Sequence, residues 1–365
     1  MKIVEIIPQL SSGGAERFVV DLCNALCEKH EVTLLVYYDL DNYGFYYGEL
    51  SERVRVECLY KNHGLDLNLF YKIHKILRKI KPDVVHLHTR AINYIFPTLL
   101  LENAFTSFMT IHNAAEKEAG NLTGRVLRKC LFKKGLVIPI AISEESLRSF
   151  REFYHMDAHM IMNGRNVSQD VEVPLNISEE FQSYKLTSNT RVNVCVARFT
   201  KVKRQDMLAR VVSRLSQEGY DISLLLIGKH LDNEILDRVR HIDSDIIHIL
   251  GEKSNPLDYL RLADAFCLCS SYEGMPISLI EAMGVGAIPV CTPVGGIVDV
   301  INEENGFLSD DVSEESYYMA LKRFMDTDKD TLNEMRKQLQ LSYKPYSMTE
   351  CAEKYESLFK QYADV

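Results

Sequence analysis

The 365-residue sequence has no apolar run approaching the ~18 residues that a bilayer-crossing helix requires, so a transmembrane anchor is not expected. It also lacks an excess of cations: 42 Lys and Arg face 51 Asp and Glu, a formal charge of -9. Nonspecific nucleic-acid binding depends on cations that release counterions from phosphates, so nucleic acid is a poor partner for this chain. The deficit is uneven, with 21 basic and 20 acidic residues in 1–170 against 21 and 31 in 171–365, giving +1 in front and -10 behind. The nine cysteines lack paired zinc spacing. Cys267 and Cys269 share one face of a predicted strand without further ligands. The opening MKIVEIIPQL has only a short apolar run, broken by Glu5 and Pro8, and reads as a buried strand and not a signal peptide. With no secretory signal, the cysteines read as reduced thiols of a cytosolic core. No repeat of solenoid period occurs, and 46% apolar with 25% charged residues is the balance of a globular protein, not a disordered one.

What is present is alternation. KIVEIIP, VTLLVYY, DVVHLH, SFMTIH and GLVIPIAIS are short β-branched runs separated by amphipathic segments. After Gly164 a polar stretch containing Pro174 interrupts the pattern, which restarts with RVNVCVARF, DISLLLIG, IIHILG, DAFCLCSS and AIPVCTP. Strands separated by helices imply βαβ units and parallel sheets. The expectation is an α/β protein with a first domain over 1–168, a linker over 169–190, a second domain over 191–345 and a final helix over 346–365. Ser347 followed three residues later by Glu350 resembles a capping box for that helix. Open parallel sheets bind ligands at the carboxyl ends of their strands, so a cleft between the two domains is the expected site.

Several stretches can carry chemistry. Gly13 and Gly14 precede a helix with Phe18, Leu22, Ala25 and Leu26 on one face. The pair serves either as a bland turn or as a place where an anion approaches free backbone N–H groups. The dinucleotide spacing G-x-G-x-x-G is absent. Arg198 ends a predicted strand and Lys203 follows five residues later at a helix start. They suit a diphosphate, as a planar fork and a mobile point charge, or they are two solvated cations. In SSYEGMPISLIEAMGVGAIPVCTPVGG, a helix beginning at Pro276 is apolar except for Ser278, Glu281 and Gly284 on one stripe. A carboxylate on such a helix costs several kcal/mol unless donors satisfy it, so Glu281 meets either a protein cation or ligand hydroxyls. Glu273 stands in the loop before the same helix.

The sequence EGMPISLIE resembles the glutamate-x7-glutamate signature of retaining glycosyltransferases of family 4. The likeness spans nearly the whole chain, through SSGGAERFV, VVHLHT, TIHN, AISE, MNGRNV, ARFTKVKR, LLLIGK, ILGEKSNPLDYLRLADAFCLCSS, NGFLSDD and the closing YSMTECAEKYESLF. It implies the GT-B fold: two Rossmann-like parallel-sheet domains facing across a cleft, with the C-terminal helix crossing back to the first. It implies that Arg198 and Lys203 clamp the departing diphosphate, Glu281 accepts from the ribose hydroxyls and Glu273 faces the donor sugar. Gly13, Gly14, Gly228, Gly251, Gly274, Met275 and Ile277 would line the nucleotide-sugar site, and His112 would stand near the transferred sugar. Glu16, His88, Asn113 and Asn163 are candidates for the acceptor side. No cofactor is implied beyond the nucleotide-diphosphate sugar as co-substrate, a UDP-sugar being the expected donor and a glycan or lipid-linked saccharide the expected acceptor. Ala197, Met162, Asp299 and Pro276 depart from the family's usual residues, which affects pocket detail and not the class.

Other readings stay open. The D-x-D triplets at Asp39/Asp41, Asp243/Asp245, Asp326/Asp328 and Asp328/Asp330 would hold a divalent ion in a transferase of the other major fold. His86 and His88 share a strand face, but two imidazoles without a third ligand do not make a zinc site. A nucleotide-sugar epimerase or phosphorylase on the same fold, or a catalytically silent nucleotide- or glycan-binding subunit, are the competing functions. The helices around LFYKIHKILRKIK, with Lys72, Lys75 and Lys79, and GRVLRKCLFKKG are either solvated faces or a peripheral contact with anionic membrane.

Overall fold

The β-branched runs become parallel strands in two separate sheets. The computed structural model describes residues 1–102, 104–168, 171–242 and 245–363, and the chain divides into two compact units, Met1–Asn166 with Tyr346–Val365, and Val167–Pro345.

In the first unit the strands are β1 (Lys2–Ile7), β2 (Glu31–Val36), β3 (Arg55–Cys58), β4 (Val84–His88), β5 (Thr106–Ile111), β6 (Ile138–Ala141) and β7 (His159–Met160). They lie in the order β3-β2-β1-β4-β5-β6-β7, every pairing parallel. Their continuous apolar runs follow from burial on both faces: Val4, Ile6, Leu35, Val85, Leu87, Met109 and Ile111 pack with Leu69, Ile73 and Leu77 of the helix Leu67–Ile80. The closing helix Met348–Tyr362 is capped by Ser347, whose side chain accepts from the Glu350 N–H. It packs on the helix Gly14–Leu26 of the same unit, and its Tyr355 and Phe359 lie against β4 at His86.

The second unit holds β8 (Arg191–Val196), β9 (Ile222–Ile227), β10 (Ile247–Gly251), β11 (Ala265–Leu268), β12 (Ile288–Cys291) and β13 (Phe307–Leu308), in the order β10-β9-β8-β11-β12-β13. Leu224, Leu226, Cys267 and Val290 meet Met207, Val211 and Leu215 of the helix Gln205–Gln217 in its core. Burial pushes the thiols of Cys195 and Cys267 up to about 12, so they behave as core residues.

Three differences from the sequence reading have physical causes. The short edge strands β3, β7 and β13 were missed because two to four residues without a strong apolar run leave little periodic signal. The segment expected as a linker contains the helix Leu175–Ser183, which buries Ile177 and Phe181 in the second unit; residues 169 and 170 lie outside the described residues. Pro276 is the N-cap, in extended conformation, and the helix itself runs Ile277–Val285.

Candidate functional site

Strand order decides which loops meet. In the second sheet the order reverses at the β8–β11 pair, and in the first at β1–β4, and the crevice outside the carboxyl ends of strands at such a reversal is where open α/β sheets take ligands.

At the second unit's reversal, β8 runs into Ala197 and Arg198 and β11 runs into the loop that carries Glu273. Arg198 is exposed, with no ion-pair partner among the described residues. Its backbone carbonyl accepts from Gln205 Nε2 at 2.9 Å, which ties the strand end to the first turn of the next helix. Lys203 folds back to Glu273, Nζ to Oε1 at 2.5 Å, and the same oxygen accepts from Ser270 Oγ at 2.5 Å. Ser270 is itself buried, its carbonyl taking a bond from Thr292 Oγ1 at 2.6 Å. The carboxylate is therefore fixed by a cation and a hydroxyl, and only 7% of Glu273 is exposed.

The glycines at this end are shaped by close approach. A Cβ on Gly228 would stand 2.0 Å from the Ala197 carbonyl, whereas Gly251, with φ +69, faces open space. Gly295, with φ +57, would push a Cβ to 2.1 Å from the Glu273 carbonyl, and the Gly296 N–H donates to the Gly274 carbonyl at 2.6 Å. The glycine pair that ends the stretch TPVGG thus carries the loop of Glu273, a role the sequence reading did not find. Met275 and Ile277 are buried beside it, and Glu281 is 5% exposed on the apolar helix, where it does make a contact.

In the first unit the helix Gly14–Leu26 starts at Gly13 as its N-cap, and Glu16 turns back over that glycine while accepting from Ser11 Oγ at 3.1 Å. His112 follows β5 and is partly exposed; Asn113 Oδ1 accepts from the Ala114 N–H at 3.0 Å, and Asn163 is buried. His88, read as cleft lining, is instead fully buried. Its Nε2 lies 2.7 Å from Glu5 Oε2, and its Nδ1 lies 2.9 Å from His112 Nε2. His86 Nδ1 stands 2.9 Å from the same Glu5 oxygen, and its Nε2 stands 2.8 Å from Thr110 Oγ1, which meets Tyr355 OH at 2.8 Å. Burial alone would raise the Glu5 carboxyl, but the neighbouring imidazoles outweigh it and hold the group at about 2. Burial pushes His88 down to about 4 and His112 well below its ordinary range.

Glu5 is the third group that the sequence reading did not connect to His86 and His88. Ligating atoms of the three lie within 4.8 Å of one another and could hold a cation. The 2.7 Å spacing from His88 Nε2 to Glu5 is that of a charge-assisted hydrogen bond, whereas His86 Nδ1 and Glu5 Oε1 are buried without a hydrogen-bond partner among the described residues. In the D-x-D triplets at Asp39/Asp41, Asp326/Asp328 and Asp328/Asp330, one aspartate has another task. Asp39 and Asp328 are helix N-caps, accepting from Asn42 N–H and from Asp330 and Thr331 N–H, respectively. Asp243 lies outside the described residues.

Comparison with known proteins bears on the family and the fold. The model for glycosyl transferases group 1 matches residues 176–341 and that for Glycosyltransferase Family 4 matches residues 12–169. The GalNAc-alpha-(1->4)-GalNAc-alpha-(1->3)-diNAcBac-PP-undecaprenol alpha-1,4-N-acetyl-D-galactosaminyltransferase of Campylobacter jejuni is 25% identical over 292 residues, 78% of this chain and 77% of the relative. The capsular polysaccharide biosynthesis glycosyltransferase CapH of Staphylococcus aureus is 25% identical over 299 residues, 77% of this chain and 78% of the relative. The crystal structure of Anabaena HepE in complex with UDP-glucose superposes with a TM-score of 0.81 at 16% identity, covering 99% of this chain and 100% of that one. With two parallel sheets of this order and two family models that between them span most of its length, the chain belongs to glycosyltransferase family 4 and has the GT-B fold.

Proposed function

We propose that the enzyme is a retaining, metal-independent glycosyltransferase that moves a sugar from a UDP-sugar to a lipid-linked saccharide in the synthesis of a bacterial-type surface polysaccharide. The observation that carries this reading is the Lys203–Glu273 pair at the β8–β11 reversal, with the exposed Arg198 just beyond the end of β8, an arrangement suited to a nucleotide diphosphate. The Campylobacter relative named for an undecaprenol-linked acceptor supports the acceptor class, and the HepE complex with UDP-glucose supports the donor class.

In this mechanism Arg198 and Lys203 neutralise the diphosphate as it leaves, Glu281 accepts from the ribose hydroxyls, and Glu273 faces the donor sugar. His112 is assigned to the transferred sugar. The acceptor hydroxyl oxygen bonds to the anomeric carbon on the face from which the diphosphate oxygen departs, and that oxygen receives the hydroxyl proton. The products are the glycoside with retained configuration and the nucleoside diphosphate. Orientation and charge stabilisation supply most of the acceleration.

Among the described residues no helix is long and apolar enough to cross a membrane. We assign the approach to a lipid-linked acceptor to a peripheral contact on the cytoplasmic side, through the helix Leu67–Ile80, where Lys75, Arg78 and Lys79 are exposed beside Leu67 and Tyr71. Lys72 is tied to the Leu59 carbonyl at 2.8 Å, and Arg128 of the second basic stretch is buried, so neither belongs to the exposed charge. Sedimentation with anionic vesicles at low and high salt tests this contact, and no binding at low salt overturns it.

Transfer measured with nucleotide sugars and a polyprenyl-diphosphate saccharide, with and without chelator, tests the reaction. Transfer that persists in chelator with the anomeric configuration retained is expected. Loss of activity in chelator overturns the metal-free reading, and epimerised donor without transfer overturns the transferase reading.

A further inference from the structure

Glu5 and His88 form a buried polar row to which the proposed transfer gives no task. Glu5 lies in the middle of β1, register-paired with His86 on β4, and neither Glu5 nor His88 has exposed surface. His88 bridges the carboxylate, Nε2 to Oε2 at 2.7 Å, and His112, Nδ1 to Nε2 at 2.9 Å. Only His112 in this row is partly exposed. Phe18 meets both rings edge-on, with centroids 6.2 Å from His88 and 5.6 Å from His112.

The direction of each bond follows from what each group can offer. An ionised carboxylate only accepts, so His88 carries a proton on Nε2. One carboxylate serves two imidazole neighbours in a site with no exposed surface and cannot balance two cations; burial also holds His88 at about 4, so the ring is neutral near neutral pH. A neutral His88 protonated at Nε2 has a bare Nδ1, which can only accept. His112 must then donate from Nε2–H, and as a neutral ring it keeps an unprotonated Nδ1 with no partner among the described residues.

We infer that Glu5 and His88 are positioning residues that lock the His112 tautomer, so that His112 presents a hydrogen-bond acceptor to the donor sugar and selects a neutral sugar bearing a hydroxyl over a uronic acid bearing a carboxylate. This rests on the assignment of His112 to the transferred sugar. A hydroxyl satisfies the bare nitrogen by donating. A carboxylate has no proton to give, so lone pairs would face each other with both groups desolvated, and a site that must bond a hydroxyl discriminates strongly against such an analogue.

Nitrogen-15 NMR of the imidazoles in the full-length wild-type protein reads the tautomer directly. The expected result is His112 protonated on Nε2 and bare on Nδ1, with mixed or reversed tautomers in Glu5→Gln, whose amide can present either oxygen or NH2 to His88. The opposite tautomer in the wild type overturns the proposal, as does one tightly held zinc per chain found by elemental analysis of the purified protein. Matched UDP-sugar and UDP-uronate pairs of the gluco and galacto series, with and without the 2-acetamido group, read the selectivity. The neutral member should lead by at least about 100-fold in kcat/KM, and Glu5→Gln should lower kcat about tenfold while leaving the acceptor KM unchanged. Equal use of a matched pair overturns the selectivity. If Glu5→Gln fails to fold, or no donor of the panel is used, the wild-type tautomer decides. The expected tautomer in a protein that transfers no sugar removes the transferase reading and leaves the lock; sugar transfer with the opposite tautomer does the reverse.

Discussion

Lys203 Nζ lies 2.5 Å from Glu273 Oε1, so the cation assigned to the leaving diphosphate and the carboxylate assigned to the donor sugar hold one another. The pair is half-sheltered, with 22% of the lysine side chain and 8% of the glutamate side chain exposed. Each residue therefore has a structural task as well as a proposed catalytic one, and substitution must separate the two.

Lys203→Gln should lower kcat/KM for transfer by about 100- to 1000-fold, the scale seen when a group facing developing charge is removed. It should also cost about 1–3 kcal/mol of stability, because Glu273 keeps its hydroxyl partner Ser270 but loses its counter-charge. Steady-state kinetics and urea denaturation measure the two separately. A destabilised variant with unchanged kcat/KM would reduce Lys203 to a structural partner.

Glu281→Ala should weaken nucleotide binding about 10- to 100-fold by calorimetry, matching the roughly 1.5–3 kcal/mol of hydrogen bonds to a charged group. Unchanged affinity in a folded variant would assign this buried carboxylate to an internal contact alone.

Gly295→Ala and Gly251→Ala form a contrast. Both positions have positive φ, but only at Gly295 does the added carbon strike backbone, 2.1 Å from the Glu273 carbonyl. Gly251→Ala should cost about 1–2 kcal/mol, the left-handed penalty alone. Gly295→Ala should cost more and also reduce donor affinity, since the Glu273 loop must move. Equal losses in urea denaturation would count against this account.

Stability should fall on acidification. Glu5 is held at about 2 against an ordinary 4.5, so its contribution is complete above about pH 4.5 and is lost as pH falls toward 2. His88 is held at about 4 against an ordinary 6.5, so the unfolded chain takes up a proton that the folded chain refuses, and loss begins below about pH 6.5. The thermal midpoint of wild type should exceed that of Glu5→Gln at neutral pH, with the gap narrowing below about pH 4.5. A gap that widens on acidification would contradict the assigned ionisation of Glu5.

Much of this was legible along the chain because it is local. The apolar runs of β1, β2, β4, β8 and β9 are strands in either unit whatever their neighbours, since buried parallel strands need such residues over five or six positions. Gly13 ends up as a helix N-cap and Ser347 as another for the same reason: a cap is a relation between residues two or three apart. The β7 and β13 pairings, two residues each, left no comparable trace.

By itself the sequence determined the alternation of strands and helices, the family signature and the identities of Arg198, Lys203, Glu273 and Glu281, because each is written in a short window. Tertiary structure alone decided which of these meet. Lys203 reaches Glu273 across 70 residues because β8 and β11 are neighbours in the sheet. Glu5 reaches His88 across 83 because β1 lies beside β4, and His88 reaches His112 because β4 lies beside β5. Strand order is set by how the whole sheet closes its core, and no local pattern encodes that two distant side chains will share one oxygen or one proton.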